Sequence, residues 1–399
     1  MPSMTHIQHL TIPDEPVALY LHVPFCRSIC TYCAFNTYAD SDDLYQPYID
    51  ALCMELKILG QSRPNTQLKT IFFGGGTPSV LTPQQFEQIF EAINRAFETS
   101  LLVETTLESN PNDLSEPYLR DLRAVGFDRI SIGVQSANQS ELDLYGRRHN
   151  FDEAVSSFAA ARRAGFDNIN LDLIYGAPDQ PLSAWETTLT RVLDLNPEHF
   201  SLYNLELKGG TDITKRVETG TLPSPDDDLA ADMYDLATDM LGQHDYDQYE
   251  ISNWSKPGRQ SEHNLQYWRN LPYLGLGPGA HGFANGIRYT VVRLPKRYID
   301  RLTSPEKQYA YPHTPATAKA VPVDYATDMS ETIMMGMRML HEGINRERFL
   351  ARFGVDMVDH FSEIIEKHRA YGLLAVDDQR VHLTQQGRFL SNAVIRDFI

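Results

Sequence analysis

The chain has 399 residues, 42% hydrophobic and 22% charged, the composition of an ordinary folded protein with room for one large domain and a small one. Asp and Glu number 53 against 35 Lys and Arg, and the formal charge of −18 argues against nucleic acid and against an anionic membrane surface as partners. No apolar run approaches the roughly 20 residues of a transmembrane helix. The start, Met-Pro-Ser-Met-Thr-His-Ile, lacks a signal-peptide pattern, so a reducing cytoplasm is the expected compartment.

Short β-branched and aromatic runs recur along the first half, each followed by a longer segment of helical periodicity. The predicted strands are Val17–Val23, Leu68–Phe73, Val103–Ser109, Arg129–Val134, Asn168–Tyr175 and His199–Leu205. Predicted helices include Pro83–Phe97, Glu116–Val125, Phe151–Arg163 and Ala184–Leu195, with Thr82 and Ser115 as start signals and Gly126 and Gly165 as stops. Such alternation implies parallel strands with right-handed crossovers, either as a (β/α)6 arc or as an open doubly wound sheet. In both, functional residues belong at the C-terminal ends of the strands. A loaded feature stands at or near each of those ends: Cys26–Cys33, Gly74-Gly-Gly-Thr-Pro78, Glu108, Gln135, Asp172 and Glu206.

Past residue 225 the pattern changes. A helix over Asp226–Leu241 and a short strand over Asp247–Ser252 precede a stretch, Asn253–Gly286, dense in Gly, Pro and aromatics and read as loop. Glu306–Pro322 reads as a linker. From residue 323 a compact α+β unit follows, with helices over Ser330–Leu340 and Val358–Tyr371 and a hairpin around Val376–Val381, the outline of a winged helix. The expected divisions are 1–225, 226–322 and 323–399.

Cys26, Cys30 and Cys33 lie within eight residues just after the first strand. Closely spaced thiolates on one loop suit an iron–sulfur cluster, and three ligands for four irons leave one iron open. Structural zinc is the weaker alternative, because it normally takes a second ligand pair and none follows. Disulfides are weaker still, since there are only four cysteines and Cys53 stands alone on a predicted helix.

Cys-x3-Cys-x2-Cys with Tyr32 before its last cysteine resembles the radical S-adenosylmethionine superfamily. The fuller run Tyr20-Leu-His-Val-Pro-Phe-Cys26 resembles one branch, the oxygen-independent coproporphyrinogen III oxidases and the HemW-type haem chaperones. The resemblance favours the (β/α)6 partial barrel with a small C-terminal winged-helix-like domain. It implies a [4Fe-4S] cluster on Cys26, Cys30 and Cys33 and S-adenosylmethionine at the open iron. It also implies cofactor contacts from Gly75, Gly76, Thr77, Glu108, Gln135, Arg147 and Asp172, with Tyr20 and Tyr32 lining the same ligand. Taken one at a time, Glu108 and Arg147 read rather as solvated groups, Gln135 as a turn cap and Asp172 as an internal salt-bridge partner, and the glycines read equally as a tight turn.

His263-Asn-Leu-Gln-Tyr-Trp268 resembles the His-Asn-x-x-Tyr-Trp motif of the HemW type, which implies haem binding through His263; His281, in Gly279-Ala-His-Gly282, is a rival ligand. Three departures point away from the oxidases. Phe35 stands where they carry a fourth cysteine, Glu206 where they carry an alanine, and only 19 residues precede Tyr20. The expected function is a haem chaperone whose partners are haem and a haem-acceptor protein, membrane-associated ones included. The alternatives are coproporphyrinogen III oxidation by a 5′-deoxyadenosyl radical, and radical chemistry on an unrelated substrate.

Overall fold

The computed structural model describes residues 15–303 and 308–399; the start of the chain, with its signal-peptide reading, and Glu306 and Lys307 of the expected linker lie outside them. Six strands, β1 (Val17–Val23), β2 (Leu68–Gly75), β3 (Glu104–Ser109), β4 (Arg129–Gln135), β5 (Ile169–Tyr175) and β6 (His199–Asn204), are parallel and adjacent in chain order. Alternation decides which side each residue takes. Leu19, Leu21 and Val23 are fully buried in the main core, whereas Tyr20 and His22, on the other side of β1, line a cavity. The intervening helices start where capping chemistry places them. Thr82 and Gln85 form a reciprocal capping box at Pro83–Ala96, and Ser115 caps Glu116–Val125.

The segment after residue 225 does not form a separate layer. It extends the same sheet to twelve strands. At one end β7 (Asp247–Glu250) and β8 (Asn253–Ser255) pair antiparallel beside β6. At the other, β9 (Tyr273–Leu276) runs parallel to β1, and β10 (His281–Ala284), β11 (Ile287–Val291) and β12 (Thr317–Pro322) follow as an antiparallel meander. The expected loop Asn253–Gly286 is thus largely strand and helix, and the end of the expected linker is β12. Their glycines serve close packing: a Cβ on Gly275 would lie 1.7 Å from the His281 carbonyl oxygen, and one on Gly282 2.2 Å from the Tyr289 ring.

The helix Glu262–Trp268 sits at the N-terminal ends of β1–β3. Glu104 accepts from the backbone N–H groups of Glu262 (2.9 Å) and His263 (3.2 Å) and from the Ser261 hydroxyl (3.2 Å). Gln266 donates to the carbonyls of Pro16 and Pro272. This helix plugs the end of the arc opposite the cysteines.

The C-terminal unit has its own core of Met329, Ile333, Phe349, Met357, Ile365, Val381 and Val394, around a three-stranded sheet of β13 (Ile344–Asn345), β15 (Arg380–Leu383) and β14 (Leu374–Val376). Helices Tyr325–Gly336, Arg346–Phe353 and Ser362–Ala370 complete a winged-helix-like domain.

Candidate functional site

The cysteine loop is held at both ends and in the middle. Tyr38 donates its N–H to Pro24 and accepts from Cys26, Thr31 donates its N–H to Tyr145, and Cys33 donates to Cys30. Gly76 and Thr77 donate to the carbonyls of Val23 and Phe25, each at 2.8 Å. The glycines make this approach possible, since a Cβ on Gly76 would stand 2.6 Å from the Phe25 oxygen. One on Gly75, whose φ is +109°, would stand 2.4 Å from the His22 ring. With the Gly75 N–H given to Glu108 (3.1 Å), carbonyl oxygens are what this turn can offer, and they suit a ligand's ammonium group.

Two donors aim at the cysteine sulfurs: the Thr77 hydroxyl reaches Cys26 Sγ and the Arg147 guanidinium reaches Cys30 Sγ, each at 3.4 Å. Burial pushes the Cys26 thiol up to about 11, and that of Cys33 in the same direction. Thiolates here therefore need positive charge, which bound iron and Arg147 would supply. Arg147 is fixed by the Gly133 carbonyl (2.8 Å) and the Asn110 side chain, while its buried Nε has no partner among the described residues. Also among the described residues, no three His, Cys, Asp or Glu side chains converge on a point that would hold a single metal ion. A cubane does not ask for that, because each cysteine binds a different iron. Three thiols on one exposed-edge loop, with a hydroxyl and a buried cation beside them, fit such a cluster.

Glu108, Gln135 and Asp172 line up along the same side of β3, β4 and β5. Burial first, and then the nearby Asp172 charge, raise the Glu108 carboxyl to about 8. Burial raises Asp172 too, although Ser131 and Asn170 each donate to it at 2.8 Å. Gln135 is nearly buried and holds φ at +67° at a bulge between β4 and β5. A non-glycine residue in that region costs roughly 1–3 kcal/mol and persists because the surrounding sheet holds it. Tyr20 donates or accepts at His22 Nδ1 (2.9 Å), and Tyr32 packs edge-on against Tyr145. Glu206 differs from the rest: it is exposed past β6 and paired with Lys208. Cys53 lies on helix Tyr45–Ser62 and packs at the edge of the main core.

The radical SAM superfamily model matches residues 20–192, and the HemN C-terminal domain model matches residues 323–390. The heme chaperone HemW of Bacillus subtilis is 35% identical over 381 residues, spanning 95% of this chain and 98% of that one. The chain belongs to the HemW family. HemW of Lactococcus lactis is 34% identical over 97% of this chain and 98% of its own. Among solved structures, coproporphyrinogen III oxidase HemN of Escherichia coli superimposes with a TM-score of 0.81, covering 97% of this chain and 90% of that one, at 22% identity. That likeness is one of fold. The radical SAM fold implies a [4Fe-4S] cluster and S-adenosylmethionine.

The HemW-type motif sits where sequence reasoning could not place it. His263 is 1% exposed, stacks on Phe72 at 4.9 Å, and has both ring nitrogens engaged. Nδ1 meets the Thr70 hydroxyl at 2.7 Å and Nε2 the Tyr267 hydroxyl at 2.8 Å. Burial lowers its pKa to about 3, so the ring is neutral. A cavity of about 840 Å³ opens between the cysteine loop and the β9–β12 end of the sheet, with Tyr20, Phe35, Tyr267, Trp268, Tyr273 and His281 among its walls. Sequence reasoning named most of these residues without bringing them together, because β10–β12 were not read as strands.

Proposed function

We propose that this protein is a haem chaperone, binding haem and passing it to an acceptor protein, with a [4Fe-4S] cluster and S-adenosylmethionine at its centre. The near end-to-end match to chains named heme chaperone carries this reading. Cys26, Cys30 and Cys33 would hold the cluster, which when bound supplies one-electron chemistry and an iron with an open position. The carbonyls of Gly75 and Gly76 and the Glu108 carboxylate would receive the ammonium group of S-adenosylmethionine, and Glu108 would lose its proton as it does so. Asp172 and Gln135 stand further along the same row, within reach of ribose hydroxyls or a second polar group. Tyr20 and Tyr32 would wall the ligand, and Arg147 would offset the negative charge of the thiolates.

Phe35, 72% exposed, supports transfer of a bound group over processing of it: an apolar side chain stands beside the cysteines where a fourth thiol would be. No helix among the described residues is long and apolar enough to cross a membrane. The test is to reconstitute the cluster anaerobically and offer haemin and coproporphyrinogen III in parallel. One haem per chain by its Soret band, and no protoporphyrin, is the expected result. Sustained turnover of coproporphyrinogen would make the protein an oxidase instead. Cys30→Ala should lose the brown cluster absorbance, and a full [4Fe-4S] spectrum in that variant would mean that the ligands lie elsewhere.

A further inference from the structure

We infer that the cavity beside the cysteine loop is the haem seat, with the His281 imidazole as the axial iron ligand and Arg293 and Lys319 meeting the two carboxylates. This rests on the haem reading above and gives it a place. The volume, about 840 Å³, lies in the range of roughly 300–1,000 Å³ over which pockets enclose cofactor-sized ligands. Tyr267, Trp268 and Tyr273 give it aromatic walls suited to a flat macrocycle. Phe35 adds an apolar side chain that the protein itself leaves uncovered.

Availability singles out the ligand. His22 also lines the cavity, but its two nitrogens meet the Tyr20 hydroxyl (2.9 Å) and the Asn36 carbonyl (3.0 Å). His263 is buried with both nitrogens bonded. His281 begins β10 with its side chain exposed, and among the described residues its ring makes no hydrogen bond or ion pair. An iron ligand needs one nitrogen with a free lone pair, and His281 has it.

The charges follow the same row. His281 pairs with Thr290 and Thr290 with Lys319, so the three stand side by side across β10, β11 and β12. Two strand spacings put Lys319 about 10 Å from His281, which suits a carboxylate at the edge of a ring whose centre lies over the imidazole. Lys319 lines a continuation of the cavity of about 330 Å³. Arg293, on the rim, donates to the Asn36 side chain and has no carboxylate partner among the described residues. Arg288 also lines the cavity but is already paired with Glu331 at 2.6 Å. In a chain with a formal charge of −18, two cations beside one cavity and its continuation with no carboxylate partner among the described residues are a local provision for an anion. Ala34, Phe35 and Asn36 belong both to this wall and to the segment that follows Cys33, so a ring seated here abuts the cluster loop.

The experiment is a haemin titration of the full, reconstituted chain, following the Soret band and the visible bands that report axial ligation. Wild type should bind one haem. His281→Ala should lose the imidazole-type spectrum and weaken binding tenfold or more, with its melting temperature unchanged because the side chain is exposed. Free imidazole should restore the spectrum to His281→Gly. Arg293→Glu with Lys319→Glu should weaken binding by a similar factor and leave the axial spectrum as it was. A wild-type spectrum and affinity in His281→Ala, or no rescue by imidazole, would overturn this assignment while leaving the haem reading intact. No haem binding by wild type would overturn the haem reading itself.

Discussion

At the scale of single residues, His263 shows how a motif and its role come apart. The string His-Asn-x-x-Tyr-Trp was legible, but the partners that define the histidine's work, Thr70, Phe72 and Glu104, lie on strands more than 150 positions away. Nothing local points to them. His263→Ala leaves two hydroxyls facing a small void, and the expected cost is roughly 2–4 kcal/mol, read as a lower urea midpoint. The haem spectrum of the folded fraction should keep its axial signature. Glu108 yields a pH test. Its folded carboxyl titrates at about 8 against an ordinary 4.5, so between those values the folded chain keeps a proton that the unfolded chain has released. The stability tied to that proton is full below pH 4.5 and is lost as pH rises through 8. At about 1.4 kcal/mol for each pH step, the effect is at most a few kcal/mol. Urea midpoints for wild type should therefore fall more steeply from pH 5 to 8 than those of Glu108→Gln. Parallel curves would mean that Glu108 is ionised in the fold.

At the scale of elements, the six parallel strands were legible because each is buried on the helix side and reads as a β-branched or aromatic run with a capped helix after it. Glu116–Val125 and Phe151–Arg163 were placed to the residue, since their caps are local side chains. The strands β8–β12, which extend the sheet at its two ends, were not legible. Two of them, β9 and β10, carry glycine (Gly275 and Gly282) where a neighbour occupies the space of a Cβ, and glycine in a sequence signals a turn. Gly275 is the sharpest case, because its missing side chain is filled by the backbone of His281, which cannot swing aside. Gly275→Ala should therefore cost about 3 kcal/mol or more, or leave the chain insoluble, where an alanine in a true loop would be neutral. A soluble Gly275→Ala protein with a wild-type melting temperature would mean that β9 and β10 are not packed in this way.

At the scale of the whole molecule, two separate apolar cores are joined by a small apolar cluster, Tyr249, Leu265 and Met339, and by polar contacts. Arg269 grips Glu342 at 2.6 Å, Arg288 grips Glu331 at 2.6 Å, and Arg352 donates to the Asn270 carbonyl at 2.9 Å. The most consequential is Arg338 with Glu250, at 3.3 Å, because the Glu250 side chain is wholly buried. Burial raises the Glu250 pKa even though Arg338, Asn253 and the Ser252 N–H oppose it. Arg338 also stacks over the Trp268 ring, 4.5 Å from its centre, and so touches the cavity wall. Removing one partner of a buried pair typically costs roughly 3–5 kcal/mol, because the other charge stays behind. Arg338→Met keeps the bulk and removes the charge, so it isolates this effect from packing. Its expected result is a calorimetric trace that splits in two, with the C-terminal domain melting first and the barrel close to its wild-type temperature. Haem should dissociate faster from this variant, since Trp268, a wall of the cavity, would lose the guanidinium stacked on its ring. Arg338→Met with Glu250→Leu removes both charges and should restore much of the coupling. A single transition at the wild-type temperature in Arg338→Met would show that the remaining contacts, those of Arg269, Arg288 and Arg352 among them, hold the two cores together without it.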